Sequence, residues 1–182
     1  MVEDFYLIDN ILSTEELIWL YHYILDCPNW TLTRSSVNDG IGRLGFTSFP
    51  GLSVQTESNI EVDYLAGYFH SLVFRIKKVF NKNYSIKLPS TIKRIHIGAK
   101  SSYSKTFNHV DSSNPLDWTI LGFLNPVWNS DDGGELIINK KTIDYKPGRF
   151  IVFKSNKNHN GGFVKKDNLN YWRISCNIML SK

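Results

Sequence analysis

Tyr171-Trp-Arg-Ile-Ser-Cys-Asn-Ile-Met-Leu180 is the stretch whose reading decides the fold. Side chains alternate between the two faces of a strand. Read as a strand, the segment places Trp172, Ile174, Cys176, Ile178 and Leu180 on one face, which is apolar apart from the thiol. Tyr171, Arg173, Ser175, Asn177 and Met179 fall on the other. The first face needs helices or a second sheet to cover it. The second aligns a guanidinium, a hydroxyl and an amide towards what would be a barrel interior. A guanidinium buried there without a counter-ion costs on the order of several kcal/mol. A dicarboxylate ligand answers that cost, because the planar fork of Arg grips a carboxylate through two bonds. A local Asp or Glu, or a solvent-exposed strand position, answers it as well.

Working back along the chain, Lys146-Pro-Gly-Arg149 is a turn feeding the strand Phe150-Ile-Val-Phe153. Before it, Asp132-Gly-Gly-Glu-Leu136 turns the chain into Ile137-Ile138, where paired glycines supply the positive φ of a tight turn. Trp118-Thr-Ile-Leu-Gly-Phe-Leu-Asn125 is an apolar run of strand length, and Lys93-Arg-Ile-His-Ile97 is a further strand. Short strands separated by closely spaced turn signals indicate an all-β sandwich or barrel rather than a βαβ fold.

Between these strands lie His109-Val-Asp111 and, 48 residues after Asp111, His159 in the polar loop 154–162. Two imidazoles and one carboxylate occupy one face of a metal and leave the opposite face open. That is the ligand set of non-haem Fe(II) oxygenases. Such a triplet is weak by itself, so the surrounding motifs carry the weight.

Those motifs, taken in order, are His109-Val-Asp111, Phe123-Leu-Asn-Pro-Val-Trp128, Asp132-Gly-Gly-Glu-Leu136, Lys146-Pro-Gly-Arg-Phe-Ile-Val-Phe153, His159 and Arg173-Ile-Ser175. From about Arg94 to Leu180 the chain resembles the catalytic jelly roll of the Fe(II)- and 2-oxoglutarate-dependent dioxygenases, in their prolyl-4-hydroxylase-like branch. The resemblance implies that His109, Asp111 and His159 hold Fe(II). It also implies that Arg173, 14 residues after His159, binds the distal carboxylate of 2-oxoglutarate with Ser175 assisting. Tyr103 and Asn177 join the expected co-substrate residues. The implied reaction couples oxidative decarboxylation of 2-oxoglutarate by O₂ to hydroxylation of an unactivated C–H, with ascorbate as an accessory reductant. Prolyl hydroxylases usually carry a Tyr three residues before the first His ligand; Thr106 stands there. Collagen-type relatives use Lys where Arg173 stands, so the likeness is to the Arg-using members. Asn177 or Asn108 is the expected partner for the ligand imidazoles.

The expected fold is therefore mainly β with supporting α-helices, a double-stranded β-helix (jelly roll, cupin-like) packed against N-terminal helices. Residues 1–182 form one oxygenase domain, with 1–90 as helical support and lid loop and 91–182 as the catalytic jelly roll. At 182 residues, with 42% hydrophobic and 14% aromatic content, the chain has core enough for one domain. Ser13 and Glu16 make a capping-box pattern that opens a helix with Leu17, Ile18, Tyr21, Ile24 and Leu25 at helical spacing, ending before Pro28. A second helix spans about 60–80, with Val62, Leu65, Ala66, Phe69, Leu72, Val73, Ile76, Val79 and Phe80 on one stripe. Both stripes are packing surfaces for the barrel, and His22 and His70 within these helices are structural or surface residues. His96, on the strand that leads towards the motif, is a lesser pocket candidate. The glycine-containing stretch 31–58 reads as an active-site cover, and 101–108 as a second rim segment. Trp30, Arg43, Tyr103 and Trp128 are the candidate substrate contacts.

No apolar run approaches the ~20 residues that span a bilayer. The chain begins with Glu3 and Asp4 rather than a basic-then-apolar signal layout, and its two cysteines are too few for a disulfide scaffold. A cytoplasmic protein is expected. The net charge of +4 is mild, and clusters such as Lys140-Lys141 and Lys165-Lys166 read as solvated turns. A concentrated basic stripe is lacking, and Met179 stands where alkylation-repair relatives carry a second Arg, so a nucleic-acid substrate is disfavoured. The expected substrate is a peptidyl prolyl residue, with a free amino acid or other small molecule as the alternative. A non-catalytic jelly-roll binding module is the remaining reading.

Overall fold

The computed structural model describes residues 3–26, 64–102, 107–165 and 172–182. In chain order the elements are β1 (Tyr6–Ile8), α1 (Thr14–Leu25), α2 (Tyr64–Tyr84), β2 (Thr91–Lys100), β3 (Trp118–Phe123), β4 (Leu136–Ile138), β5 (Lys141–Ile143), β6 (Phe150–Lys154), β7 (His159–Gly161) and β8 (Arg173–Ser181). The strands form a five-stranded sheet, ordered β1-β6-β3-β8-β2, and a three-stranded sheet, ordered β5-β4-β7. All pairings are antiparallel. The result is the mainly β jelly roll with two supporting helices that the strand and helix patterns anticipate.

The large sheet is buried on both faces, which explains why β3 and β6 read as unbroken apolar runs. Its outer face carries Ile120, Val152, Ile174, Cys176, Ile178 and Leu180, and these share one core with residues of α1 and α2. Its inner face carries Leu121, Phe123, Ile151 and Phe153, which pack with Leu136, Ile138 and Ile143 of the small sheet. The alternation expected along the last strand therefore holds. Burial also pushes the Cys176 thiol up to about 12, so it is an inert core group.

Ser13 caps α1 as its sequence suggests, accepting from the Glu16 N–H at 3.1 Å. The Glu16 carboxylate reaches α2, where it accepts from the Tyr68 hydroxyl (2.8 Å) and Arg75 Nη2 (3.1 Å). The buried stripe of α1 is Leu17, Leu20 and Ile24, whereas Ile18 and Leu25 are exposed. The stripe is narrower than periodicity indicates because only one side of this helix meets the core. On α2 the expected residues from Leu65 to Phe80 are buried or packed against the core, and the helix runs on to Tyr84.

Two short strands escape sequence reading. β1, from the N-terminal segment, pairs with β6 and closes the edge of the large sheet. β5 has a single buried residue, Ile143, so it shows too little alternation to stand out. The expected polar loop around His159 is also corrected. His159 opens β7, which pairs with β4 in the register Ile138 with His159 and Leu136 with Gly161. Its polar sequence, His-Asn-Gly, hides a strand whose order comes from its neighbours. The possible cover 31–58, together with Trp30, Arg43, Val62, Tyr103 and Thr106, lies outside the described residues.

One buried side chain fixes where β8 begins. Asn125, just past β3, accepts the Ile174 N–H at Oδ1 (2.7 Å) and donates from Nδ2 to the Trp172 carbonyl (2.8 Å). Its own N–H donates to the Tyr145 hydroxyl (3.0 Å), which in turn lies 2.7 Å from Asn125 Oδ1 and 3.1 Å from the Ile174 carbonyl. An amide that both donates and accepts on one chain segment holds its register, and the register here places Arg173. Asn125→Ala strands the buried Ile174 N–H, and we expect a loss of about 2–3 kcal/mol in stability. Urea denaturation checks this; a midpoint equal to that of the unaltered protein contradicts it.

Candidate metal centre and co-substrate pocket

His109 and His159 are brought together by the backbone. Each donates its N–H to the carbonyl of the other at 2.9 Å, an isolated antiparallel bridge. Directly opposed residues of such a pair project their side chains to the same face. The two imidazoles accordingly lie 4.4 Å apart between centroids. Asp111 is anchored two residues further on, where its N–H donates to the Ser155 carbonyl at 3.0 Å.

The three side chains converge. His159 Nε2 is 3.5 Å from Asp111 Oδ2, and His109 Nε2 is 3.9 Å from Asp111 Oδ1. One ligand atom from each lies within 4.8 Å of the others. Ligands about 2 Å from a common metal have separations of this order. Each imidazole has its Nδ1 against a backbone carbonyl, Phe107 O for His109 (3.0 Å) and Lys157 O for His159 (2.9 Å). Those carbonyls accept an Nδ1 proton and leave Nε2 bare, which is the tautomer a metal requires. Burial lowers the His159 pKa, a shift that outweighs the opposing pull of Asp111 and keeps the ring in its neutral, ligating form. The donor set of two neutral imidazoles and one carboxylate fits Fe(II).

The Asp111 carboxylate is held from three directions. Its side chain is only 3% exposed. It accepts from Thr119 Oγ1 at 2.7 Å, from Asn177 Nδ2 at 3.1 Å and from Arg94 Nη2 at 3.1 Å. Thr119 is in turn 2.9 Å from Ser155 Oγ. Burial alone would raise the Asp111 pKa; His159, Thr119, Asn177 and Arg94 together outweigh burial and hold the carboxyl below its usual range. The loop that follows is pinned by the buried Asp117, which accepts from Ser112 Oγ (2.7 Å) and Asn114 Nδ2 (3.1 Å).

The partners of the His109, Asp111 and His159 side chains therefore differ from the sequence expectation. Backbone carbonyls, rather than Asn177 or Asn108, orient the imidazoles. Asn108 accepts from Asn160, and the amide of Asn177 is taken up by Asp111 and Arg94 rather than offered to a co-substrate. Arg94 and Thr119 were not anticipated. Thr119 had one signal: it is polar, yet in phase with Leu121 and Phe123 on the inner face of β3.

Arg173 points into the same interior. It is 1% exposed, donating from Nε to the Gly134 carbonyl (2.6 Å) and from Nη1 to Ser175 Oγ (3.1 Å). Its guanidinium lies over Phe123, 5.1 Å from the ring centroid, and near Tyr145 at 5.6 Å. Gly134, at φ +77°, allows this approach: a Cβ there would stand 3.0 Å from Arg173 Cδ and 3.0 Å from Trp128. Burial works against the charge, and the carboxylate of Glu135 and the Tyr145 hydroxyl only partly restore it. Trp128, expected at the substrate surface, is instead 8% exposed and donates its indole N–H to the Gly133 carbonyl. It packs with Tyr145 at 4.5 Å, so its role is to build the wall behind Arg173. His96 pairs with Asn177 across β2 and β8, on the chamber side, while His22 and His70 are exposed on the helices.

Comparison with known proteins agrees with this geometry. Residues 96–180 match the family model of the 2OG-Fe(II) oxygenase superfamily. No curated protein sequence matches the chain. Among solved structures, the chain is similar to a Trichoplax adhaerens prolyl hydroxylase in complex with a hypoxia inducible factor oxygen degradation domain peptide fragment. The TM-score is 0.61 and the identity 18%, over 97% of this chain and 82% of that one. It is similar to a Pseudomonas putida prolyl-4-hydroxylase, with TM-score 0.66 and 13% identity over 98% and 92% of the two chains. A viral collagen prolyl hydroxylase from Paramecium Bursaria Chlorella virus-1 aligns with TM-score 0.63 and 15% identity over 99% and 90%. The shared architecture is that of the jelly-roll oxygenases, and residues 96–180 match the 2OG-Fe(II) oxygenase superfamily, whose members are 2-oxoglutarate-dependent dioxygenases that use Fe(II), 2-oxoglutarate and O₂.

Proposed function

We propose that His109, Asp111 and His159 hold the Fe(II), that Arg173 and Ser175 hold the distal carboxylate of 2-oxoglutarate, and that the chain hydroxylates a peptidyl prolyl residue. The observation that carries the co-substrate assignment is Arg173 Nη2, a buried donor with no hydrogen-bond partner among the described residues. A buried charged donor left unpaired is costly, and a carboxylate would accept from Nη2 and from Ser175 together. Bound iron supplies the oxidising chemistry that converts 2-oxoglutarate and O₂ into succinate, CO₂ and a hydroxylated product.

The chain's own groups do the rest. The Phe107 and Lys157 carbonyls fix which nitrogen each imidazole presents. Arg94, Thr119 and Asn177 hold Asp111 ionised and correctly turned. Phe123, Tyr145 and Trp128 exclude water around Arg173. The His109 side chain is 31% exposed against 2% for His159, so the centre opens to solvent on the His109 side. An opening at the metal rather than at Arg173 suits a large substrate that approaches after the co-substrate has seated. The fold likeness to enzymes of prolyl peptides supports proline as the target residue. Among the described residues no helix is long and apolar enough to cross a membrane. A reducing compartment such as the cytoplasm suits Fe(II).

His159→Ala removes a ligand while leaving the backbone bonds of β7 intact. We expect loss of stoichiometric Fe(II) or Mn(II) binding by equilibrium dialysis, with a cooperative unfolding transition retained. A variant that binds metal as tightly as the unaltered protein contradicts the ligand assignment. For the substrate, proline-containing peptides incubated with the iron enzyme and 2-oxoglutarate should gain one oxygen atom on proline by mass spectrometry. Turnover of free amino acids with none on peptides would overturn the peptidyl assignment while leaving the metal site standing.

A further inference from the structure

A second cation stands beside Arg173. Lys100 is the last residue of β2 and the direct cross-strand partner of Arg173, the first residue of β8. A Cβ built on Gly161 would lie 2.9 Å from Lys100 Nζ and 3.8 Å from Cζ and Nη1 of Arg173. The ammonium and the guanidinium therefore border one small volume above Gly161, two residues past the ligand His159. Only glycine leaves that volume free. Lys100 Nζ makes no hydrogen bond or ion pair with any described residue. Burial and the neighbouring Arg173 together push its pKa down to about 7. Two cations turned towards one space, with the Arg173 Nη2 unpaired as well, form an arrangement that is unfavourable until an anion enters.

The rest of β2 explains how Lys100 gets there. Ile95, Ile97 and Ala99 face the outer core, so Arg94, His96, Gly98 and Lys100 face the chamber. Arg94 is spent on Asp111, at the metal end. Lys100 lies at the other end of the same face, beside the carboxylate-binding Arg173. The two cations on the chamber face of β2 are thus divided between the two ends of the site.

We propose that Lys100 is a second carboxylate-binding residue of the co-substrate pocket, closing with Arg173 on the distal carboxylate of a 2-oxo dicarboxylic acid. This rests on the co-substrate reading of Arg173 given above. Lys100 makes the pocket selective for dicarboxylates over 2-oxo acids that lack the distal group. It also works against the empty protein, where its charge has no counter-ion among the described residues. Removing it therefore moves two measurable quantities in opposite directions, which a merely structural lysine does not do.

The test uses the full chain loaded with Mn(II) under anaerobic conditions, with 2-oxoglutarate and the monocarboxylic 2-oxovalerate as probes in calorimetric titrations. Lys100→Met should weaken 2-oxoglutarate binding by about tenfold to a hundredfold, the range for one charge-assisted hydrogen bond. Binding of 2-oxovalerate should not change, and the melting temperature without co-substrate should rise. Lys100→Arg should retain 2-oxoglutarate binding. If Lys100→Met does not fold, Lys100→Gln reads the same loss. Unchanged 2-oxoglutarate affinity in the lysine variants, with affinity lost in Arg173→Ala, overturns the role of Lys100 alone. Unchanged affinity in Arg173→Ala as well overturns the pocket on which it rests.

Discussion

Two backbone hydrogen bonds, exchanged between His109 and His159, are the constraint on which the site depends. They join a segment that leaves the large sheet to the first residue of β7 in the small sheet. The bridge sets both imidazoles on one face before any side-chain interaction is counted. The pairing also fixes the position of Asp111, two residues along, where its N–H meets Ser155 at the end of β6. A candidate metal site built on backbone pairing in this way is rigid without needing large side chains around it. His109 can then remain partly open to solvent while His159 is enclosed.

The interior balances charge unequally. Arg94, Lys100 and Arg173 face the chamber, and Asp111 is the carboxylate that three of its polar neighbours hold. At the candidate metal centre, Arg94 and Asp111 are paired and geometrically fixed. The Arg173 guanidinium lies against Phe123 and Tyr145, with Trp128 packed on Tyr145, where low polarity strengthens every electrostatic interaction. On the proposed co-substrate reading, an apolar lining around donors with no partner among the described residues is a poor resting state and a good receptor for a carboxylate. The arrangement trades stability of the empty protein for affinity, as binding sites commonly do.

The sequence was most legible where one element carries its own pattern. Period-two alternation along β8 separated the core face from Arg173 and Ser175, and the Gly133-Gly134 pair announced a turn of positive φ, observed at +73° and +77°. The cap of α1 was visible in Ser13 and Glu16. What stayed hidden comes from pairing between distant segments. Asp111 is held by Arg94, Thr119 and Asn177, which are 17, 8 and 66 residues away, from three different strands. The partners of the imidazoles are backbone carbonyls, which leave no side-chain signature. His159 looked like a loop residue because its strand is three polar or small residues whose order is supplied by β4 and His109. Lys100 shared the phase of Arg94 and His96, but its meaning required the register that sets it opposite Arg173.

The measurement that tests the central claim most directly is an anaerobic titration of the metal-free protein with Fe(II) and then 2-oxoglutarate, followed by visible absorption. The account predicts the weak charge-transfer band of Fe(II) chelated by a 2-oxo acid, appearing only when both are present and saturating at equimolar amounts. A protein that binds both Fe(II) and 2-oxoglutarate yet gives no band would contradict it, because the metal and Arg173 would then not serve one chelated co-substrate.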